Sequence, residues 1–191
     1  MKATPTRLAG VYLLEPTVFG DSRGYFFESF NNHHFERLTG FLPYFVQDNQ
    51  SQSAKGVLRG LHFQVSPKAQ GKLVRVVQGA VFDVAVDIRP DSPTFGQSEG
   101  VVLSQTNHHQ LWIPPGLAHG FVTLEDKTVF QYKVTDYWSQ EHERCIAWDD
   151  PELAIDWQFE GTPLVSQKDA QAQSFASFKQ ELLATIQTHV Q

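Results

Sequence analysis

The stretch K-L-V-R-V-V-Q-G-A-V-F-D-V-A-V-D-I, residues 72–88, decides the fold class. It reads as two runs of β-formers joined at Gln78-Gly79, and in the second run Phe82, Val84, Val86 and Ile88 alternate with Val81, Asp83, Ala85 and Asp87. A period of two sends successive side chains to opposite faces of a strand. The stretch is expected to be a β-hairpin around a glycine-containing turn, and two acids on one face suggest a polar lining.

Outward from this stretch the same texture repeats. Gly and Pro punctuate the chain, and between them lie short segments rich in Val, Ile, Phe, Tyr and Trp at 10–14, 24–30, 56–64, 100–104, 110–113, 119–123, 128–137 and 146–148. Segments of that length and content suit half-buried strands. Their spacing predicts an all-β sandwich or barrel, and nothing alternates as a parallel Rossmann-type sheet requires. Helical signal is confined to residues 32–38 and to the C-terminus, where Phe175, Phe178, Leu182 and Ile186 recur at helical spacing. With no internal repeat, charge run or linker, one domain over 1–191 is expected, with 170–191 a C-terminal helical tail.

Composition narrows the function classes. Of 191 residues 41% are hydrophobic and 19% charged, including 4 Trp, 5 Tyr and 15 Phe, which excludes chain-wide disorder and collagen-like or low-complexity classes. Fifteen Lys and Arg against 21 Asp and Glu leave a formal charge of −6 without a basic cluster. No nucleic-acid or membrane partner is therefore expected, whereas an anionic small molecule needs only a few local cations. The one cysteine, Cys145, forms no internal disulfide or zinc cluster, residues 1–12 lack a signal-peptide core, and no apolar run suffices to cross a bilayer. A cytoplasmic protein is the expectation.

Several motifs look chemical and fail on context. Gly96-Gln97-Ser98-Glu99-Gly100 matches the nucleophile elbow, but a Pro-rich loop precedes it and strand-like Val101-Val102-Leu103 follows, where a strand-to-helix turn is required. The run 68–72 departs from a phosphate loop, with Ser66 where the first Gly belongs and Leu73 where the magnesium-binding Ser or Thr belongs. The adjacent pairs His33-His34 and His108-His109 would face opposite ways in a strand and read as solvated loop histidines.

What survives is a set of polar segments inside strand-like surroundings: 21–28, 47–51, G-V-L-R-G-L-H-F-Q at 56–64, W-I-P-P-G-L-A-H-G-F at 112–121, and Phe130-Gln131-Tyr132-Lys133. The fourth resembles the P-x-G-x-x-H motif of cupins. A metal-binding cupin usually supplies H-x-H in its first motif, and here that motif reads His62-Phe63-Gln64. A three-His site cannot be built at the usual positions, so no metal and no cofactor are expected.

The run 56–64, together with Lys72-Leu73-Val74-Arg75-Val76, resembles the dTDP-4-dehydrorhamnose 3,5-epimerase family. The resemblance extends over about residues 11–169, taking in D-x-R-G at 21–24, Q-D-N at 47–49, A-H-G-F at 118–121, D-x-R-P-x-S-P-T-F-G at 87–96 and W-x-D-P at 148–151. It implies a cupin-type jelly-roll homodimer. It also implies a cofactor-independent enzyme that inverts both carbons flanking the C4 ketone of dTDP-4-dehydro-6-deoxy-glucose, on the route to dTDP-rhamnose.

The chemistry explains the residue types. A hydrogen beside a ketone is weakly acidic, so the site needs a base, a cation or donor for the charge that moves to oxygen, and an acid on the other ring face. His62 suits the base, since imidazole is substantially neutral at physiological pH. By resemblance Asp169 orients His62, Lys72 stabilises the enolate and Tyr132 is the acid. Arg23 and Arg59 would grip diphosphate oxygens with Lys168 adding charge, and Glu28, Gln47, Asp48, Asn49, His119 and Glu143 would complete the substrate pocket. Pattern alone leaves alternatives open: Tyr132 as a packed core aromatic, Lys72 as a surface lysine, Arg23 and Arg59 in surface ion pairs, His119 as a structural histidine. Strict alternation also sets Arg59 with Leu61 and Phe63, opposite His62, unless a bulge or strand end intervenes at Gly60.

Three competing functions stand beside this one: a relative that inverts one carbon or moves the ketone, a non-catalytic nucleotide-sugar-binding cupin, and a metal-dependent cupin oxygenase, which the H-x-H departure disfavours.

Overall fold

The computed structural model describes residues 1–188, with side chains to residue 184. In chain order the first strands are β1 (Lys2–Pro5), β2 (Tyr12–Glu15), β3 (Phe19–Asp21) and β4 (Gly24–Phe26), followed by α1 (Asn32–Thr39). Next come β5 (Gln47–Ser53), β6 (Leu58–Gln64), β7 (Lys72–Gln78), β8 (Ala80–Asp87) and β9 (Ser98–Ser104). The remainder is β10 (Gln110–Ile113), β11 (Leu117–Thr123), β12 (Thr128–Val134), β13 (Glu143–Cys145), α2 (Gln167–Ala170) and α3 (Phe175–Thr188).

Two antiparallel sheets face each other, ordered β1-β2-β10-β7-β12-β5 and β13-β6-β11-β8-β9, while β3 and β4 form a separate two-stranded hairpin. This is the all-β jelly-roll with a C-terminal helix that the sequence reading expects. The space between the sheets is filled by Val74, Val76, Val81, Ala85, Leu111, Leu117, Phe121 and Phe130. Helix α3 covers the outer face of the second sheet through Phe175 and Phe178, the latter edge-on to Phe63 with ring centroids 5.3 Å apart. Residues 189–191 of the expected tail, and the Ile186 side chain, lie outside the described residues. Among the described residues no helix is long and apolar enough to cross a membrane.

The deciding stretch turns out differently in one respect. Strands β7 and β8 exist, but they do not pair with each other: β7 bonds to β10 and β12, β8 to β11 and β9. The turn at Gln78-Gly79 is thus a corner that carries the chain from one sheet to the other, stitched by Gly79 N–H to Gln105 Oε1 at 3.1 Å. Strand β8 is apolar on both faces, Val81 and Ala85 inward and Val84 and Val86 outward, and needs cover on both sides. Alternation identifies faces, not partners.

Other boundaries shift for local reasons. The expected strand 24–30 stops at Phe26, and the segment 146–148 contributes only a single bridge at Ile146. Helix α1 is capped by Asn31, whose side chain accepts from His34 N–H, and ends at Gly40 in the left-handed conformation.

Candidate active site

Strand β6 pairs with β11 in register at His62↔His119 and again at Arg59↔Phe121, so three steps on β6 span two on β11. That extra residue is a bulge, and it resolves the alternation conflict by turning Arg59 and His62 toward the same space. The position demands glycine: Gly60 has φ +135°, and a Cβ there would lie 2.5 Å from Gly120 Cα.

The space they share is a cavity of about 360 Å³ lined from both sheets. His62 and Arg59 reach it from β6, His119 and Phe121 from β11, Lys72 from β7, Phe130 and Tyr132 from β12, Gln47, Asn49 and Ser51 from β5, and Glu143 from β13. Strand β5 is polar throughout and lacks the β-branched residues that mark strands. Its alternate residues face the cavity and solvent, so neither face needs to be apolar.

Behind His62, Nε2 lies 2.6 Å from Asp169 Oδ1. Asp169 is 3% exposed, and its hydrogen bonds from His62, Gly60 N–H and the Ser166 hydroxyl hold its carboxyl below the usual carboxylate range against the opposing pull of burial. An ionised carboxylate only accepts, so Nε2 carries the ring proton and Nδ1 is left with its lone pair. The Ser166 side chain also caps the short α2 that carries Asp169, accepting from Asp169 N–H.

Lys72 is buried and donates from Nζ to His62 C=O at 3.0 Å. Burial pushes its ammonium down to about 8, with the Asp83 and Glu143 charges opposing the shift. Tyr132 moves the other way, raised by burial and by Glu143, so it stays a phenol at neutral pH. His119 Nε2 sits 2.9 Å from Asp83 Oδ2, and burial lowers its pKa despite that carboxylate. Arg59 spends two N–H groups on the Ser53 hydroxyl, leaving its other donors for an anion. Lys168 forms an ion pair of 2.6 Å with Glu143.

The sequence-selected residues therefore divide. Gln47, Asn49, Arg59, His62, Lys72, His119, Tyr132 and Glu143 line one cavity, with Asp169 and Lys168 in contact with its lining. Asp48 lies on the opposite face of β5, paired with Lys133 at 3.0 Å. Arg23 and Glu28 are exposed outside the cavity lining, Arg23 bound to Asp21 and Glu28 held by Asn31 and His34.

Sequence reasoning passed over Asp83 as a specific partner, although its place among the acids of β8 marked that face as polar. It also passed over Trp138, whose 56% exposed indole lines the cavity and sits in a loop without periodic signal.

Comparison with known proteins places the chain in a family. The family model described as dTDP-4-dehydrorhamnose 3,5-epimerase matches residues 5–177. A protein of that name from Pseudomonas aeruginosa is 58% identical over 176 residues, 92% of this chain and 97% of the relative. The solved structure of the Legionella pneumophila dTDP-6-deoxy-D-glucose-3,5-epimerase RmlC in complex with dTDP-4-keto-L-rhamnose superposes with a TM-score of 0.90 at 50% identity, covering 95% and 96% of the two chains. ChmJ from Streptomyces bikiniensis, a 3'-monoepimerase solved with dTDP-quinovose, superposes at 0.89 with 31% identity, covering 96% and 91%.

Proposed function

The chain belongs to the dTDP-4-dehydrorhamnose 3,5-epimerase family, and from that membership we infer how its own side chains divide the work of the reaction. The enzyme is an isomerase that inverts C3 and C5 of dTDP-4-dehydro-6-deoxy-D-glucose, giving dTDP-4-dehydro-L-rhamnose in dTDP-rhamnose biosynthesis. Each inversion removes a proton from one ring face and returns one to the other. The observation that carries the reading is that His62 and Tyr132 line one cavity from opposite sheets, with buried Lys72 on β7, the strand beside that of Tyr132, lining it too.

His62 Nδ1 takes the proton beside the C4 ketone, and the imidazolium that forms is held by Asp169. Negative charge develops on the ketone oxygen, where Lys72 supplies a charge already desolvated and therefore effective. Tyr132 then protonates the carbon from across the ring, and once His62 has released its proton to solvent and Tyr132 has regained one, the process repeats on the other side of the ketone. No atom changes oxidation state overall, so acid, base and cation suffice.

For the nucleotide, Arg59 and Lys168 meet the diphosphate, while Gln47, Asn49, His119 and Glu143 supply donors and acceptors. The Trp138 face suits stacking on a base. Any role of Asp48 goes through its backbone, because its side chain faces away.

Arg23 and Glu28 fit the site if the enzyme is a homodimer whose β3–β4 arm reaches a partner copy. That arm exposes Phe19, Tyr25 and Phe26 at 64%, 61% and 71%, surface that a partner would cover. A cytoplasmic setting suits a nucleotide-sugar substrate.

In deuterated water the substrate is expected to gain two non-exchanging deuterons, one at each carbon beside the ketone. One deuteron would identify a mono-epimerase of the ChmJ kind, and none would leave only a binding protein.

A further inference from the structure

Cys145 stands opposite His62 in the β13–β6 register, and its Sγ lies 3.8 Å from Asp169 Oδ1, the same oxygen that meets His62 Nε2. One ligand atom from each of His62, Cys145 and Asp169 falls within 4.8 Å of the other two. The mechanism uses the imidazole and the carboxylate and leaves the thiol idle. We propose that these three side chains form a latent site for a thiophilic divalent cation such as Zn²⁺ or Cd²⁺, and that its occupancy silences the base.

The donor set is the chemistry such ions prefer: one sulfur, one imidazole nitrogen and one carboxylate oxygen. Tetrahedral zinc holds sulfur at about 2.3 Å and nitrogen or oxygen at about 2.0–2.2 Å, which spaces its donors roughly 3.3–3.8 Å apart. Oδ1 and Sγ stand 3.8 Å apart, within reach of that spacing, while Nε2 and Oδ1, at 2.6 Å, must separate by about 0.7 Å or more to admit the ion.

Sequence reading looked for imidazoles at the two usual cupin motifs and found one too few. This set comes instead from three places distant in sequence, β6, β13 and α2, and only the fold unites them.

Proton accounting gives the consequence. A cation that binds Sγ displaces the thiol proton to solvent. The cation also takes the Nε2 lone pair, and a neutral ring must then carry its hydrogen on Nδ1. The nitrogen that accepts the substrate proton is thereby occupied, and turnover stops without any change in fold.

The inference rests on His62 being the base, and His62→Ala in chelated buffer tests that reading by itself. For the site, the full-length protein is titrated with Cd²⁺ while thiolate-to-cadmium ultraviolet absorption and turnover are both followed. One equivalent is expected to raise the absorption and abolish turnover together, with EDTA reversing both. Cys145→Ala is expected to keep turnover, lose the absorption and require at least about tenfold more Cd²⁺ for inhibition. Absence of thiolate absorption in the unaltered protein, or equal sensitivity of Cys145→Ala, would overturn the site. Cadmium bound through Cys145 with turnover intact would overturn the claim that occupancy silences the base.

Discussion

Tyr132 on β12 and His62 on β6 line the same cavity from opposite sheets. A sugar ring lying between them presents one face to each, which is what inversion at carbon demands. His62→Ala is expected to abolish both deuterium exchange and turnover, a loss of about 10²–10⁴. Tyr132→Phe is expected to retain part of the exchange while losing inverted product, because proton removal survives when proton return does not. Mass and NMR analysis of sugar recovered from deuterated water measures both, and normal exchange by His62→Ala would end the base assignment.

Asp169→Asn isolates the role of the carboxylate. An amide at that position can present its NH₂ to Nε2, moving the ring proton to Nδ1 and leaving no lone pair toward the substrate. Turnover is expected to fall by roughly 10⁴, as when a catalytic histidine is held in the wrong tautomer, with the circular dichroism spectrum unchanged. Retention of more than a tenth of the activity would show that His62 does not depend on Asp169 for its tautomer.

How far these residues were readable before the structure depended on what kind of signal each one carries. The β-rich architecture was legible because Val74 and Val76 in one run, and Phe82, Val84 and Val86 in the next, sit at period two, and because Gly and Pro mark the corners. Strand pairing was not, since alternation is equally consistent with β7 and β8 as a hairpin or as neighbours across a corner. Strand β5 escaped notice because Q-D-N-Q-S-Q-S has no apolar face to betray it. Within the site, His62 and Lys72 came from motif resemblance, and the bulge at Gly60 was legible as a contradiction between spacing and chemistry. The Asp83–His119 pair and the approach of Cys145 to Asp169 depend on contacts 36 and 24 residues apart, which no local pattern encodes.

Lys72 couples activity and stability with opposite signs. The unfolded chain keeps the lysine proton up to the ordinary 10.5, while the folded chain releases it at about 8. Between those values the unfolded state binds more protons, so this group makes the fold more stable as pH rises through the window, by roughly 3 kcal/mol in all. If Lys72 stabilises the enolate as proposed, catalysis needs the ammonium, and kcat/KM is expected to fall as pH rises past about 8. Lys72→Met is expected to cost about 10²–10³ in kcat yet to raise unfolding free energy at pH 7 by roughly 1–3 kcal/mol, read by urea denaturation. Asp83→Asn removes a charge that holds the Lys72 value up, and its alkaline limb is expected to move to lower pH. A limb unmoved by Asp83→Asn would detach it from Lys72.

Arg23 lies outside the cavity of its own chain, paired with Asp21 on the exposed β3–β4 arm, and in the proposed homodimer it would serve the site of a second copy. Subunit mixing separates the two possibilities. Arg23→Ala and His62→Ala homodimers are each expected to be impaired, the first by about tenfold or more through loss of a charge-assisted phosphate contact. In a mixed dimer, the site with intact His62 receives its arginine from the other subunit and is fully assembled, whereas the second site lacks both. After random exchange of equal amounts, half of the dimers are mixed and half of their sites are whole, so activity is expected to rise to about a quarter of the unaltered enzyme. If the arginine served its own chain, mixing would give no more than the average of the two parents. Failure to recover activity in dimers shown by mass spectrometry to have exchanged would therefore refute the arm as a donor of Arg23 across the interface.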